Sequence, residues 1–162
     1  LDDLAVRTGQ LVAFICNHCP FVKHIAEELA ALGRLCAEHG IDMVAINSND
    51  LDRYPDDAPP RMAETAAAHG WTFPYLVDES QEVAHAYQAA CTPDFYLFDR
   101  ERALVYRGQL DDSRPGNDRP VTGKDLRAAI AALVEGRPIA SEQIPSVGCN
   151  IKWKPGNEPV AG

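Results

Sequence analysis

Apolar and polar positions along this 162-residue chain switch repeatedly between strand and helix periods. Residues 9–15, GQLVAFI, are a short apolar run with β-forming Val12, Phe14 and Ile15, bounded by Gly9 and by cysteines; this predicts a buried strand. Pro20 fits the first turn of a helix, where a missing N–H costs nothing. Phe21, Ile25, Leu29, Leu32 and Cys36 then recur at helical spacing until Gly40 stops the run. IDMVAIN (41–47) predicts a second buried strand, and residues 48–60 a loop by their Asp and Pro content. The Ala-rich stretch 61–69 reads as a helix ending at Gly70, FPYLVD (73–78) as a third strand, and 80–88 as a short helix capped by Ser80. DFYLFDR and RALVYRGQ are two β-patterned runs joined at Arg100 and Glu101, a hairpin signal. Residues 111–120 form a charged Pro/Gly loop, and Thr122 caps a last helix over 124–134. The tail from Gly136 has no usable period and is expected to pack as an extended strap.

The order β-α-β-α-β-α-β-β-α predicts an α/β fold: a mixed central sheet with parallel strands, helices on both faces, and a closing antiparallel hairpin. Residues 1–162 read as a single domain, with a core of about 9–134 and a tail of 135–162. In such sheets reactive groups collect at the C-terminal ends of strands. Two candidate stretches fall there: the CxxC after the first strand, and Asn47-Ser48-Asn49-Asp50 after the second.

Composition narrows the function classes. A formal net charge of −9 argues against nucleic acid or anionic membrane as a partner, since both select basic faces. No apolar run approaches the ~18–20 residues needed to span a bilayer. No secretory signal pattern is present, and opening on Leu1 rather than Met is what a chain lacking its native N-terminus would show. Five cysteines, an odd number, suit a disulfide-stapled secreted scaffold poorly. A reducing compartment, the cytoplasm, is expected, with any disulfide transient.

The chemistry concentrates in FICNHCPFVKHI (14–25). Cys16 should lie just outside a helix N-terminus and Cys19 in or beside its first turn, where unpaired N–H groups and the helix dipole stabilise an anion. A cysteine so placed titrates low and is a thiolate near neutral pH. His18, when protonated, adds a positive charge beside the pair, and a stabilised thiolate makes the disulfide relatively oxidising. Two buried small hydrophobes are the bland alternative. A metal site is the other, with Cys16, Cys19, His18 and His24 within nine residues and His39 further on. Structural zinc wants paired knuckles, and the chain has no second CxxC or HxxxH; copper(I) needs fewer ligands and favours thiolates. The spacing and context favour the redox dithiol, with no metal ion or other cofactor assigned.

The remaining cysteines differ. Cys36 falls on the apolar stripe of its helix and reads as a core residue. Cys91 precedes Thr92-Pro93 at the start of β-structure, where a proline often sits in a special turn and is sometimes cis. Cys149 lies in the tail, an exposed passive thiol by default and a mobile resolving thiol otherwise; Trp153 and the flanking lysines anchor that tail by packing. His24, His39, His69 and His85 show no obvious partner. Asp56-Asp57 and Asp111-Asp112 read as solvated loop charge.

Three motifs carry a resemblance over about residues 9–134. They are the CxxC of VAFICNHCPF, the segment FPYLVDESQEVAHAYQ, and CTPDFYLFD. Together they resemble the thioredoxin fold in its redoxin branch, near the alkyl hydroperoxide reductase and thiol-specific antioxidant proteins. The second is typical of the redoxin-type insertion and the third is similar to the cis-proline strand. With CNHCPFVKH and a C-terminal GCNIKWK, the chain is most similar to a small cytoplasmic thioredoxin-like family described as thiol-disulfide isomerase or thioredoxin. The resemblance implies that Cys16 attacks, Cys19 resolves the mixed disulfide, Pro93 is the cis-proline, and the backbone of Thr92 faces the disulfide and can pair with substrate. It also brings Cys91 near the site.

Two departures stand out. Thioredoxins bury an acidic residue behind the second cysteine, and Ala13 stands in the matching place. The PxxxTxxC pattern of peroxiredoxins is absent, although Arg107 could serve a divergent peroxide pocket. The expected function is therefore a thiol-disulfide oxidoreductase or isomerase. Its substrate would be a disulfide-containing protein or small molecule, and an external thiol would be its reductant. A monomer or weak homodimer is expected, with no nucleic-acid or membrane partner. The alternatives are a thiol peroxidase, its Cys16 sulfenic acid captured by Cys19, Cys91 or Cys149, and a copper-binding thioredoxin-fold chaperone using the same thiols.

Overall fold

The apolar runs become strands because both of their faces are covered. In the computed structural model, which describes residues 8–159, β1 (Gly9–Phe14) and β2 (Ile41–Asn47) pair in parallel, and β3 (Tyr75–Val77) continues the parallel side. β5 (Asp94–Asp99) and β6 (Leu104–Gly108) form the expected hairpin, and β5 pairs antiparallel with β1. The sheet order is β3-β2-β1-β5-β6. Successive residues point to opposite faces, and the packing follows that rule. Leu11, Ala13, Met43, Ala45, Phe95 and Leu97 enter one core with α1 (Pro20–His24), α2 (Ala26–Glu38) and α5 (Lys124–Glu135). Val12, Phe14, Ile46 and Tyr96 enter a second, covered by α4 (Glu82–Tyr87) and by the tail residues Ile151 and Trp153. The remaining helix, α3 (Pro59–His69), ends at Gly70 in the left-handed region, as its stop signal predicts. Among the described residues no helix is long and apolar enough to cross a membrane.

Three local expectations are corrected. The helix after Pro20 is broken at Ile25, whose φ of −107° and ψ of 12° leave the α region. Its N–H turns back to the Val22 carbonyl at 3.1 Å, a 3₁₀-type bond. Ser80 does not cap α4 alone. The Asp78 carboxylate accepts from the N–H groups of Val83 (3.2 Å) and Ala84 (2.9 Å), while Ser80 Oγ takes that of Glu82 (3.3 Å). The tail is a strap only in part, since Cys149–Asn150 form β7, paired antiparallel with β4 (Cys91–Thr92).

The tail is stitched down on both sides of β7. Before it, the Gln143 amide donates to the Val105 carbonyl and accepts from the Arg107 N–H, both at 2.9 Å, and Ser146 Oγ donates to Gly108 O at 2.8 Å. These bonds satisfy the outer edge of β6, which would otherwise be unpaired. After it, the Lys152 N–H donates to Asn49 Oδ1 (2.9 Å). The fully buried Gln81 side chain donates to the carbonyls of Ser48 and Lys152 and accepts from the Lys154 N–H. Trp153 packs against the second core and against His85, as the anchoring role expected of it requires.

Candidate functional site

The chain turns from β1 into α1 across Cys16–Cys19, at the C-terminal end of a central strand, as the pattern predicts. Cys19 is the N-cap residue of α1, and its carbonyl accepts the N–H groups of Val22 and Lys23. Both thiols are buried, Cys16 1% exposed and Cys19 0%. They are close enough that each shifts the titration of the other. The Thr92-Pro93 peptide is cis, as the resemblance implies, and Thr92 faces the pair. Thr92 Oγ1 lies 3.6 Å from Cys16 Sγ, and the Thr92 carbonyl lies 3.5 Å from Cys19 Sγ, within reach of its S–H when protonated.

The two sulfurs titrate as one unit, because a thiolate on either is stabilised by the S–H of the other. The first proton therefore leaves easily and the second with difficulty. The low-titrating thiol is Cys19. The bond from Cys16 lowers its pKa first, followed by contacts that include Cys149, Thr92 and the Val22 N–H. Cys16 is pushed the other way by its bond to Cys19, by burial and by the Asp57 carboxylate. Low titration was expected of the pair from the helix N-terminus. The structure gives it to Cys19, and at a five-residue helix individual N–H groups matter more than a macrodipole.

Asp57 is the residue that sequence reading missed. It ends a 3₁₀ turn (Pro55–Asp57) in the loop after β2 and is 0% exposed, not solvated. Its Oδ1 accepts the N–H of Asn17 (2.7 Å) and of His18 (3.3 Å). Its Oδ2 accepts Asn49 Nδ2 (3.1 Å) and meets His18 Nδ1 at 2.5 Å. Asn47 Nδ2 donates to its carbonyl at 2.9 Å, so the polar stretch after β2 holds Asp57 in place. His18 is fixed on a second side by stacking against Tyr54 (5.5 Å between centroids, 5° between planes), and Tyr75 donates to Asn17 Oδ1 at 2.9 Å. The buried acid thus comes from another loop, not from the Ala13 position, and it lies beside Cys16. No periodicity marks it. The one available signal was its loop's departure from a strand's C-terminal end. Asp111, also read as solvated, is buried too, and accepts the N–H groups of Thr122 and Gly123 at the start of α5.

The other candidates are placed as follows. Cys16, His18 and Asp57 offer ligand atoms within 4.8 Å of one another, the one such trio among the described residues. The set considered from sequence is not gathered, since His24 Nε2 is bonded to Ser113 Oγ at 2.7 Å. Asp57 already accepts the Asn17 N–H on Oδ1 and the Asn49 amide on Oδ2, so an ion at the trio would compete with those donors. Cys149 is half-buried and packs against the core that holds Cys16 and Cys19, neither exposed nor remote. Cys91 lies on the opposite side of β4, its Sγ 3.8 Å from the carbonyls of Pro93 and Ser146, and its pKa is pushed up to about 12, chiefly by burial. Arg107 sits near Cys91, over the Tyr96 ring and bonded to Gln88 O at 2.8 Å.

Cys36 is fully buried on α2, with a pKa pushed up to about 12 by burial. Cys36→Ser should lower stability by about 1–3 kcal/mol, the cost of a buried hydroxyl, and leave thiol turnover intact. Urea unfolding together with a turnover assay checks this; a large loss of turnover in a stable protein contradicts it.

A family model described as AhpC/TSA family matches residues 1–107. The chain belongs to the AhpC/TSA family. The chain is 57% identical to an uncharacterized conserved protein from Geobacillus kaustophilus, with a TM-score of 0.93 over 96% of this chain and 82% of that one. It is 54% identical to a hypothetical protein from Sinorhizobium meliloti 1021, with a TM-score of 0.91 over 93% and 82%. A thioredoxin-like protein solved in its oxidized form is similar at 21% identity and a TM-score of 0.66, over 84% of each chain. No curated protein matches the sequence. This AhpC/TSA member therefore has the thioredoxin-like redoxin fold that its motifs resemble.

Proposed function

We propose that the protein is a thiol-disulfide oxidoreductase working through Cys16 and Cys19. The observation that carries this reading is the pair itself: two buried thiols three residues apart at a strand-to-helix turn, both facing Thr92 beside the cis-proline and each shifting the titration of the other. Moving the remaining proton from Cys16 to the neighbouring Cys19 puts the thiolate on Cys16. That thiolate attacks one sulfur of a substrate disulfide, whose other sulfur leaves and takes up a proton. Cys19 then attacks Cys16 Sγ, releasing the second substrate thiol and closing the Cys16–Cys19 disulfide. Two electrons pass to the substrate, and two equivalents of an external thiol return them. The reading assigns a disulfide-containing protein or small molecule as substrate and a reducing compartment, the cytoplasm, as its place of work.

The peroxidase alternative has less support. A peroxide-reducing thiolate favours positive neighbours, whereas Cys16 has a carboxylate beside it and Arg107 is engaged near Cys91. The fully reduced protein is expected to reduce insulin disulfides in the presence of a small thiol. Its own thiols are expected to survive stoichiometric hydrogen peroxide for many minutes, read by quenching and intact mass. Oxidation of Cys16 within seconds at micromolar peroxide would overturn this reading in favour of a peroxidase.

A further inference from the structure

β7 brings a third thiol to the site. We propose that Cys149 is a catalytic thiol, which attacks Cys19 in the Cys16–Cys19 disulfide and forms a Cys19–Cys149 disulfide. This rests on reading Cys16 and Cys19 as the redox pair.

Four observations converge on it. The register pairs Thr92 with Cys149, so the tail runs alongside the short strand that faces the dithiol. The Cys149 thiol packs against the core that contains both site cysteines, close enough to Cys19 that the two thiols interact electrostatically. Gly148 passes so close to Thr92 that an added Cβ would run into the Thr92 carbonyl, the same oxygen that Cys19 faces. Finally, the stitching at Gln143, Ser146, Lys152 and Lys154 fixes the tail on both sides, so the thiol is held rather than wandering. A thiol so placed meets the disulfide at an effective concentration far above that of any thiol in solution. Cys91, the neighbouring thiol, faces Pro93 O and Ser146 O instead.

The exchange is balanced within the protein. The Cys149 thiolate attacks Cys19 Sγ, the Cys16–Cys19 bond breaks, and the Cys19–Cys149 bond forms. Cys16 leaves as a thiolate and takes up the proton that Cys149 released. No electrons are gained or lost; the disulfide moves from two buried sulfurs onto one that is half-buried, where an external thiol can attack Cys149 directly. While β7 is seated, the edge of Thr92 is also filled by the protein's own chain, which makes the tail an internal counterpart of a substrate strand.

The test is disulfide mapping of the full chain after one equivalent of diamide as oxidant, acid quenching, alkylation and proteolysis. Wild-type protein should give both the Cys16–Cys19 loop and the Cys19–Cys149 cross-link, in a ratio independent of protein concentration. Cys16→Ser should give the Cys19–Cys149 cross-link as its intramolecular disulfide. Cys149→Ser should give the Cys16–Cys19 loop alone, re-reduced by glutathione about tenfold more slowly because both of its sulfurs are buried. Gly148→Ala keeps all three thiols and should lose the cross-link. A folded Cys16→Ser protein with no Cys19–Cys149 cross-link, beside a wild type that still closes Cys16–Cys19, would overturn the proposal and leave the dithiol reading intact. Cross-linking at the wild-type rate in Gly148→Ala would overturn the positional argument. Absence of the Cys16–Cys19 loop in the wild type would instead remove the dithiol reading itself.

Discussion

Cys16→Ser is expected to lower disulfide exchange by at least about a thousandfold, because it removes a nucleophile that no neighbouring hydroxyl replaces. Cys19→Ser should behave differently. It removes the partner whose bond is the largest cause of the raised pKa at Cys16, so the Cys16 thiol titrates lower and still attacks. Without the second sulfur the reaction stops after its first half, and the protein accumulates as a mixed disulfide with its substrate. Insulin reduction measures the first effect, and intact mass under non-reducing conditions measures the second. An undiminished rate in Cys16→Ser would sink the mechanism. If Cys19→Ser is the inactive variant and shows no adduct, the sulfur that carries the charge at rest is also the one that attacks, and the two roles exchange.

The contrast between these variants follows from a feature that sequence could not supply. A CxxC at a strand-to-helix turn is legible, since strand period, Pro20 and helix period surround it. The distribution of charge within the pair is not. It depends on which sulfur lies beside a carboxylate some forty residues away. The same limit explains the other misses. β1, β2 and the β5–β6 hairpin announce themselves by uninterrupted apolar runs. The break at Ile25 is invisible because Phe21, Ile25 and Leu29 keep their four-residue spacing straight through it. β7 is two residues long, and its partners lie in β4, far back in the chain. Nothing in the pattern singles out Gln81, whose backbone is left-handed and whose side chain holds the tail. For Asp57, β7 and Gln81 the deciding interaction is non-local, and a pattern read along the chain registers only local period.

Asp57 is the sharpest instance, and its removal should have the second large effect. The side chain is wholly buried, accepts hydrogen bonds from the backbone of Asn17 and His18 and from the Asn49 amide, and lies 2.5 Å from His18 Nδ1. Asp57→Ala leaves those donors without an acceptor in a place water does not reach, at about 1–3 kcal/mol for each group left unsatisfied. Local relaxation recovers part of this, so a loss of about 3–5 kcal/mol is expected, comparable to breaking a buried ion pair. For a domain whose whole stability is about 5–15 kcal/mol, that is a severe change. Urea unfolding of the reduced protein checks it, and an unchanged midpoint would show that the carboxylate does not hold the loop. Asp57→Asn separates structure from electrostatics. It keeps the shape and one acceptor oxygen while removing the negative charge that raises the pKa of Cys16. The sign follows directly: with that charge gone, the Cys16 thiolate is favoured, and alkylation of Cys16 should persist to lower pH than in the wild type. A carboxylate that only braced the loop would weaken folding in both variants and leave that pH profile where it was. A carboxylate that sets the charge between the two sulfurs moves the profile even where the fold survives.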